Sequence, residues 1–144
     1  DVGWLRDLTV GRLMVSAPPT IPAETSVRAF RAAYPLGSAH VVVAIDEAGR
    51  YKGLVLVPEA HAAPLEENED GGPISAVARL PETSLHPDVD VRMALAIFDA
   101  AQTDTLAVTE RETGVALGTL SEAFAARRYA QEVDLAARGV LGGG

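Results

Sequence analysis

Apolar positions along the chain fall into two series with the same internal order. In the first, Val10, Leu13 and Met14 are spaced as one face of a short helix, which Pro18-Pro19 stops. Thr20-Ile21-Pro22 is a short extended piece. Thr25 or Ser26 then caps a helix with Val27, Phe30 and Tyr34 on its apolar face, ended by Pro35-Leu36-Gly37. His40 to Ile45 is rich in β-branched residues and reads as a strand, Asp46 to Gly49 as a turn, and Tyr51 to Val57 as the returning strand. Leu54 to Val57 is a continuous apolar run, the pattern of a strand buried on both faces. Pro58 suits the first turn of a helix, so this segment predicts a strand, a sharp exit and a helix N-terminus.

The second series opens with a helix around Ile74 to Ala78 and a strand at Thr83 to Leu85. Asp90 caps a helix with Val91, Leu95 and Phe98 on its inner face. Strands near Thr105 to Val108 and Val115 to Leu120 flank a turn at Glu110 to Gly114. A last helix is expected from about Ser121 past Tyr129 towards Ala136, with Gly139 to Gly144 as a disordered tail. Setting Gly53 on Gly118 also sets Gly49 on Gly114, an offset of 65. Upstream, Val27-Arg28 falls on Val91-Arg92 and Thr20-Ile21 on Ser84-Leu85, an offset of 64. A spacing kept over that distance is an internal duplication.

Each copy reads strand-helix-strand-strand-helix behind a leading helix, an α+β arrangement. The expected division is a leading segment over 1–9, a first repeat over 10–65, an acidic linker over 66–72, a second repeat over 73–134 and a flexible tail over 135–144. A repeat of about 60 residues is marginal alone, so the halves are expected to share a core.

Composition narrows the functions. The chain is 48% hydrophobic and 22% charged, which is globular rather than disordered. A net charge of −8 argues against nucleic acid and against an anionic membrane surface, both of which call for clustered Lys and Arg. Without cysteine there is no disulfide framework, thiolate zinc site or cysteine nucleophile. No apolar stretch approaches the ~20 residues of a spanning helix, so the segment is expected to be soluble and not to insert into a membrane. His40, His61 and His86 show no metal-ligand spacing with carboxylates, and no metal site is assigned. The acids Glu66, Glu67, Glu69 and Asp70 lack the alternation of a calcium loop and read as a solvated linker. Ser121 sits on a strand-to-helix turn as a hydrolase nucleophile does, but Thr119 and Ala123 stand where that elbow needs glycine. A helix cap is the better reading, and no catalytic residue is assigned.

The paired cues resemble a tandem pair of CBS domains, over about Val10 to Glu132. They are the helix ending in Met14, the turn at Gly49, Gly53-Leu54-Val55, and their repetition at Gly114 and Gly118-Thr119-Leu120-Ser121. Gly11-Arg12-Leu13-Met14, Tyr34-Pro35-Leu36-Gly37, Leu56 to His61 and Ser121-Glu122-Ala123-Phe124 leading to Arg127-Arg128-Tyr129-Ala130 are similar to the cytoplasmic tail of bacterial ClC-type chloride channels and chloride/proton antiporters. The resemblance implies two βαββα repeats about a pseudo-twofold axis. It also implies a homodimer, attachment to a membrane channel domain of the same polypeptide, and a place on the cytoplasmic side of the cell membrane. The function it implies is regulatory and non-catalytic, with ATP, ADP or AMP as ligands; the alternative is a nucleotide sensor attached to another transporter or enzyme.

Carried onto this chain, the resemblance puts Thr20, Ile21, Glu59, Leu85 and Ser121 at the nucleotide sites. Such repeats carry Ser or Thr at the strand end and Asp or Asn three residues on. Here the first repeat has Leu56 and Glu59 and the second has Ser121 and Phe124, one of the two groups in each. Losing one hydrogen bond per site costs on the order of tenfold in affinity, and the net charge adds to that loss. Lys52 and Arg92 are the cations expected to offset it. Weak or absent nucleotide binding is the expectation. Trp4, Phe124 and Tyr129 are candidates for a dimer interface, with burial in the chain's own core as the alternative.

Overall fold

The first turns of the two main repeat helices are built alike. The Ser26 hydroxyl accepts from the Ala29 amide at 3.0 Å and starts helix α2 (Val27–Ala33). The Asp90 carboxylate accepts from the Met93 amide at 2.9 Å and starts α4 (Val91–Ala101). Each satisfies an amide that the helix itself leaves without a partner. These elements come from a computed structural model, which describes residues 8–142. Trp4 and Leu5 lie outside the described residues.

Two three-stranded sheets carry the fold. In the first, β2 (Thr20–Pro22) runs parallel to β3 (Val41–Ile45), which pairs antiparallel with β4 (Tyr51–Leu56). The second has the order β1-β6-β5, from β1 (Val15–Ser16), β6 (Ala116–Ser121) and β5 (Thr105–Thr109). The strand expected at Thr83 to Leu85 is reduced to a parallel bridge between Leu85 and Val108, at the position β2 holds in the first sheet. Both hairpins turn at a glycine of positive φ, Gly49 at +80° and Gly114 at +76°. Helix α3 (Val57–Ala62) follows β4, and α5 (Glu122–Gly142) follows β6. The fold is α+β, two βαββα repeats in tandem.

The halves trade their leading segments. Helix α1 (Val10–Leu13) buries Leu13 and Val10, with Leu8, in the cluster that holds Leu85, Val91, Phe98 and Leu120. The 3-10 turn Ile74–Val77 buries Ile74 beside Ile21, Phe30 and Val55. The exchange is reciprocal bond for bond. Val10 donates to the Val89 carbonyl at 2.8 Å, and Ile74 to that of Thr25 at 2.7 Å. Val15 lies opposite Thr119, and Arg79 opposite Leu54. A division at 66–72 therefore does not separate the two cores.

The matched glycines have a physical role in this exchange. A Cβ on Gly118 would press on the Val15 carbonyl and approach the Met14 sulfur at 3.0 Å. At Gly53, φ is +131° and a Cβ would stand 2.7 Å from the Ala78 Cβ. Only glycine admits the traded strand at such range. Between the halves, Tyr51 donates to the Gly114 carbonyl and Ala116 to that of Gly49, each at 3.0 Å. Arg50 faces Val115, its own counterpart in the other repeat. Val43, Leu54 and Ala107 are buried at this seam. Each of these contacts maps onto its counterpart when the halves are exchanged, which is the signature of a pseudo-twofold axis.

One expectation is corrected. The tail does not begin at 135: α5 continues to Gly142, supported by strong helix formers and by an Arg138–Asp134 pair at 3.0 Å one turn apart. The acidic linker is solvated as expected, with Glu66, Glu67, Glu69 and Asp70 exposed, and its backbone is also fastened by the Arg28 guanidinium, which donates to the carbonyls of Glu66 and Glu69. Among the described residues no helix is long and apolar enough to cross a membrane.

Candidate functional site: two clefts related by the repeat

Wherever a strand hands over to a helix at the seam, the traded strand leaves a cleft beside it. The first cleft, about 190 Å³, lies at the end of β4 and is lined by Leu54, Leu56, Arg79 and Asp104. The second, about 260 Å³, lies at the end of β6 and is lined by Val15, Thr119, Ser121 and Phe124. His40, Val41 and Thr105 line both. Ligand pockets usually measure ~300–1,000 Å³, so a nucleoside must protrude from either cleft or widen it.

Repeat-related positions carry opposite chemistry. Arg79 in the first cleft corresponds to Val15 in the second, and Leu56 to Ser121. Among the described residues, no Asp, Glu, Lys or Arg lines the second cleft. Arg79 is brought to the first by its backbone, which exchanges two 2.8 Å hydrogen bonds with Leu54. The next carbonyl, that of Leu80, accepts from the Tyr51 hydroxyl at 2.6 Å. Burial pushes that hydroxyl's pKa up, so it stays a donor.

Glu59, in the first turn of α3, holds Arg79 from outside the cleft. The Arg79 Nε donates to both of its carboxylate oxygens, at 2.9 and 3.0 Å, and Nη2 adds a third bond. The hydrogen bonds from Arg79 hold the Glu59 carboxyl below the usual carboxylate range, with the guanidinium's charge adding to them and desolvation opposing. Side-chain exposures of 61% for Arg79 and 36% for Glu59 make this a solvent-screened pair.

The proposed nucleotide residues are scattered. Ser121 lines the second cleft, where its hydroxyl accepts from the Phe124 amide at 3.2 Å and caps α5. Glu59 reaches the first cleft through Arg79. Thr20, Ile21 and Leu85 line neither cleft. Pairing to the neighbouring strand turns the Ile21 and Leu85 side chains into the two cores. The Leu85 amide and carbonyl are both taken by β5, at 2.8 Å. Thr20 is exposed, and its carbonyl accepts from the Tyr34 hydroxyl at 2.8 Å.

The expected cations are elsewhere too. Lys52 lies 3.9 Å from Asp46 near the hairpin turn, and Arg92 is exposed on α4. Neither lines either seam cleft; Lys52 lines a separate open pocket of about 960 Å³ with Asp46, Arg50 and Glu24. Phe124 lines the second cleft with Arg127 5.5 Å from its ring centre, and it packs with Tyr129 against the second core. His61 bonds the Tyr34 carbonyl at 2.8 Å and His86 that of Thr109 at 3.1 Å.

Sequence reasoning missed Arg79, His40 and Asp104. A signal existed for Arg79: the offset of 64 sets it on Val15, immediately after the helix-ending Met14.

The architecture is shared with solved structures. The soluble part of a magnesium transporter superposes with a TM-score of 0.69 at 18% identity, over 88% of this chain. This chain spans 49% of the length of that one. A CBS domain pair/ACT domain protein from Thermotoga maritima gives 0.66 at 17% identity, covering 86% of this chain and 98% of that one. The CBS domain of a bacterial CNNM/CorC family Mg2+ transporter, in complex with ATP, gives 0.71 at 16% identity, covering 84% and 86%. No family model and no curated protein matches the sequence. The chain has the fold of a CBS domain pair.

Proposed function

We propose that the chain is a non-catalytic regulatory module whose first cleft senses an adenosine nucleotide weakly and biases an attached membrane transporter or channel. The observation that carries this reading is Arg79, a cation placed in one of two clefts at the repeat seam. The ATP complex of a transporter's CBS domain with the same fold supports it. Regulation of this kind requires the ligand to bind two states of the attached protein unequally. The cap bond of Ser121 gives its hydroxyl a structural task and supports the non-catalytic reading. The resemblance carried by Gly11 to Met14, Tyr34 to Gly37, Leu56 to His61 and Ser121 to Ala130 favours a ClC-type chloride channel or antiporter as the parent, with this module on the cytoplasmic side of the membrane. The magnesium-transporter domains among the similar structures favour the alternative, a nucleotide sensor on another transporter.

A homodimer belongs to the same reading. Val133 and Leu135 on α5 are 40% and 58% exposed, and Met93 on α4 is 56% exposed. Light scattering of the wild type against Leu135→Glu reads this directly: a dimer that becomes a folded monomer supports it, and an unchanged mass removes α5 from the interface. Isothermal titration with ATP, ADP and AMP tests the sensing. A dissociation constant on the order of 1 mM for the best of them is expected. Low-micromolar binding would overturn the weakness, and no heat at several millimolar would overturn the sensing.

A further inference from the structure

Arg79, the one Lys or Arg among the described residues that lines the first cleft, already has an anion. Glu59 meets Arg79 with both oxygens, at 2.9 and 3.0 Å from Nε, and these hydrogen bonds favour its ionised form. Asp104 lines the same cleft, so the charges at hand are Arg79 against Glu59 and Asp104, one more negative than positive. A phosphate entering here either competes with a carboxylate that is covalently tethered beside Arg79 or goes without the guanidinium. In the second case each added phosphate meets net repulsion from the cleft and from a chain of charge −8.

We infer that Glu59 is a specificity-determining residue that sets the ligand charge the first cleft accepts, so that the cleft favours a phosphate-poor nucleoside over a polyphosphate. The inference deepens the proposed nucleotide sensing and rests on it. The geometry makes Glu59 a filter rather than a ligand-binding group, since it stands outside the lining and acts through Arg79. The second cleft has no counterpart to this device, because Phe124 occupies the position of Glu59 and Val15 that of Arg79.

The test is titration of adenosine, AMP and ATP into the wild type, Glu59→Gln and the double variant Glu59→Gln/Arg79→Gln. In the wild type, affinity is expected to fall in the order adenosine, AMP, ATP. Glu59→Gln frees Arg79 for phosphate and is expected to tighten AMP and ATP about tenfold, reversing the order and leaving adenosine within about twofold. The double variant returns AMP and ATP to wild-type weakness. Glu59→Ala is the second probe if Glu59→Gln melts early, and the same reversal is expected. If the wild type binds AMP but neither Glu59 variant alters the ratio of AMP to ATP, the filter is wrong and the sensing stands. If none of the proteins binds any of the three at several millimolar, the sensing falls and the filter with it.

Discussion

The two clefts share a backbone and differ in chemistry. Each forms where a strand hands over to a helix, and each borrows a residue from the strand traded by the other half. The first borrows Arg79 and the second Val15. Duplication thus preserved the shape of the site and let the ligand-facing positions diverge. The exchange explains why divergence was open to these positions: Val15 is 63% exposed, and the Arg79 side chain 61% exposed, so neither is needed in a core. The buried counterparts, such as Phe30 and Ala94 or Val27 and Val91, stayed apolar in both halves.

The largest way to break the comparison is to expel a traded strand. Gly118→Val puts a branched side chain against the Val15 carbonyl and Met14, and is expected to destabilise by about 3 kcal/mol, a fall in Tm of about 10 °C. Thermal unfolding followed by circular dichroism checks it; a melt within about 2 °C of wild type would mean that the strand is not held there.

Next comes the cation itself. Arg79→Ala leaves Glu59 and Asp104 at the first cleft without a counter-charge, and AMP binding is expected to weaken about tenfold by calorimetry. Val15→Arg sharpens the contrast from the other side. It installs a cation where no carboxylate holds it, at an exposed position that tolerates the longer chain. Calorimetry is expected to show a second AMP site per chain, and an unchanged stoichiometry would show that the second cleft is closed to nucleotides for reasons other than charge.

The smallest effect is on stability. The folded pKa of Glu59 is depressed, so its pair with Arg79 stabilises above the unfolded carboxyl value and loses that contribution as pH falls through the folded one. The wild type is therefore expected to melt above Glu59→Gln at pH 7, by less than about 4 °C because the pair is screened, with the gap closing as the pH is lowered below 4.5. A gap that widens on acidification would reverse the sign of the pair.

Much of the fold was legible because periodicity and turn residues are local. Pro18-Pro19, Asp90, Gly49 and Gly114 mark ends and turns by their own backbone chemistry, and the offset between Gly53 and Gly118 marked the duplication. The trade of leading segments was not legible, because Val10 and Ile74 look equally apolar whichever half buries them. Only the long-range pairing of Val15 with Thr119 and of Arg79 with Leu54 distinguishes the two outcomes. The site suffered most from this. Glu59 and Ser121 came from the family resemblance at the strand-to-helix handover, while Arg79 arrives from the other repeat and Ile21 and Leu85 turn inward to the cores. The end of α5 was misjudged because its terminal glycines outweighed the helix formers before them.

The central claim is that the two repeat-related clefts differ in what they bind. The most direct test is a titration of the 15N-labelled protein with AMP, following backbone amide resonances. The account predicts that Leu54, Arg79 and Asp104 shift together while Val15, Thr119 and Ser121 stay fixed. Shifts centred on Val15, Thr119 and Ser121, or equal in both groups, would contradict it.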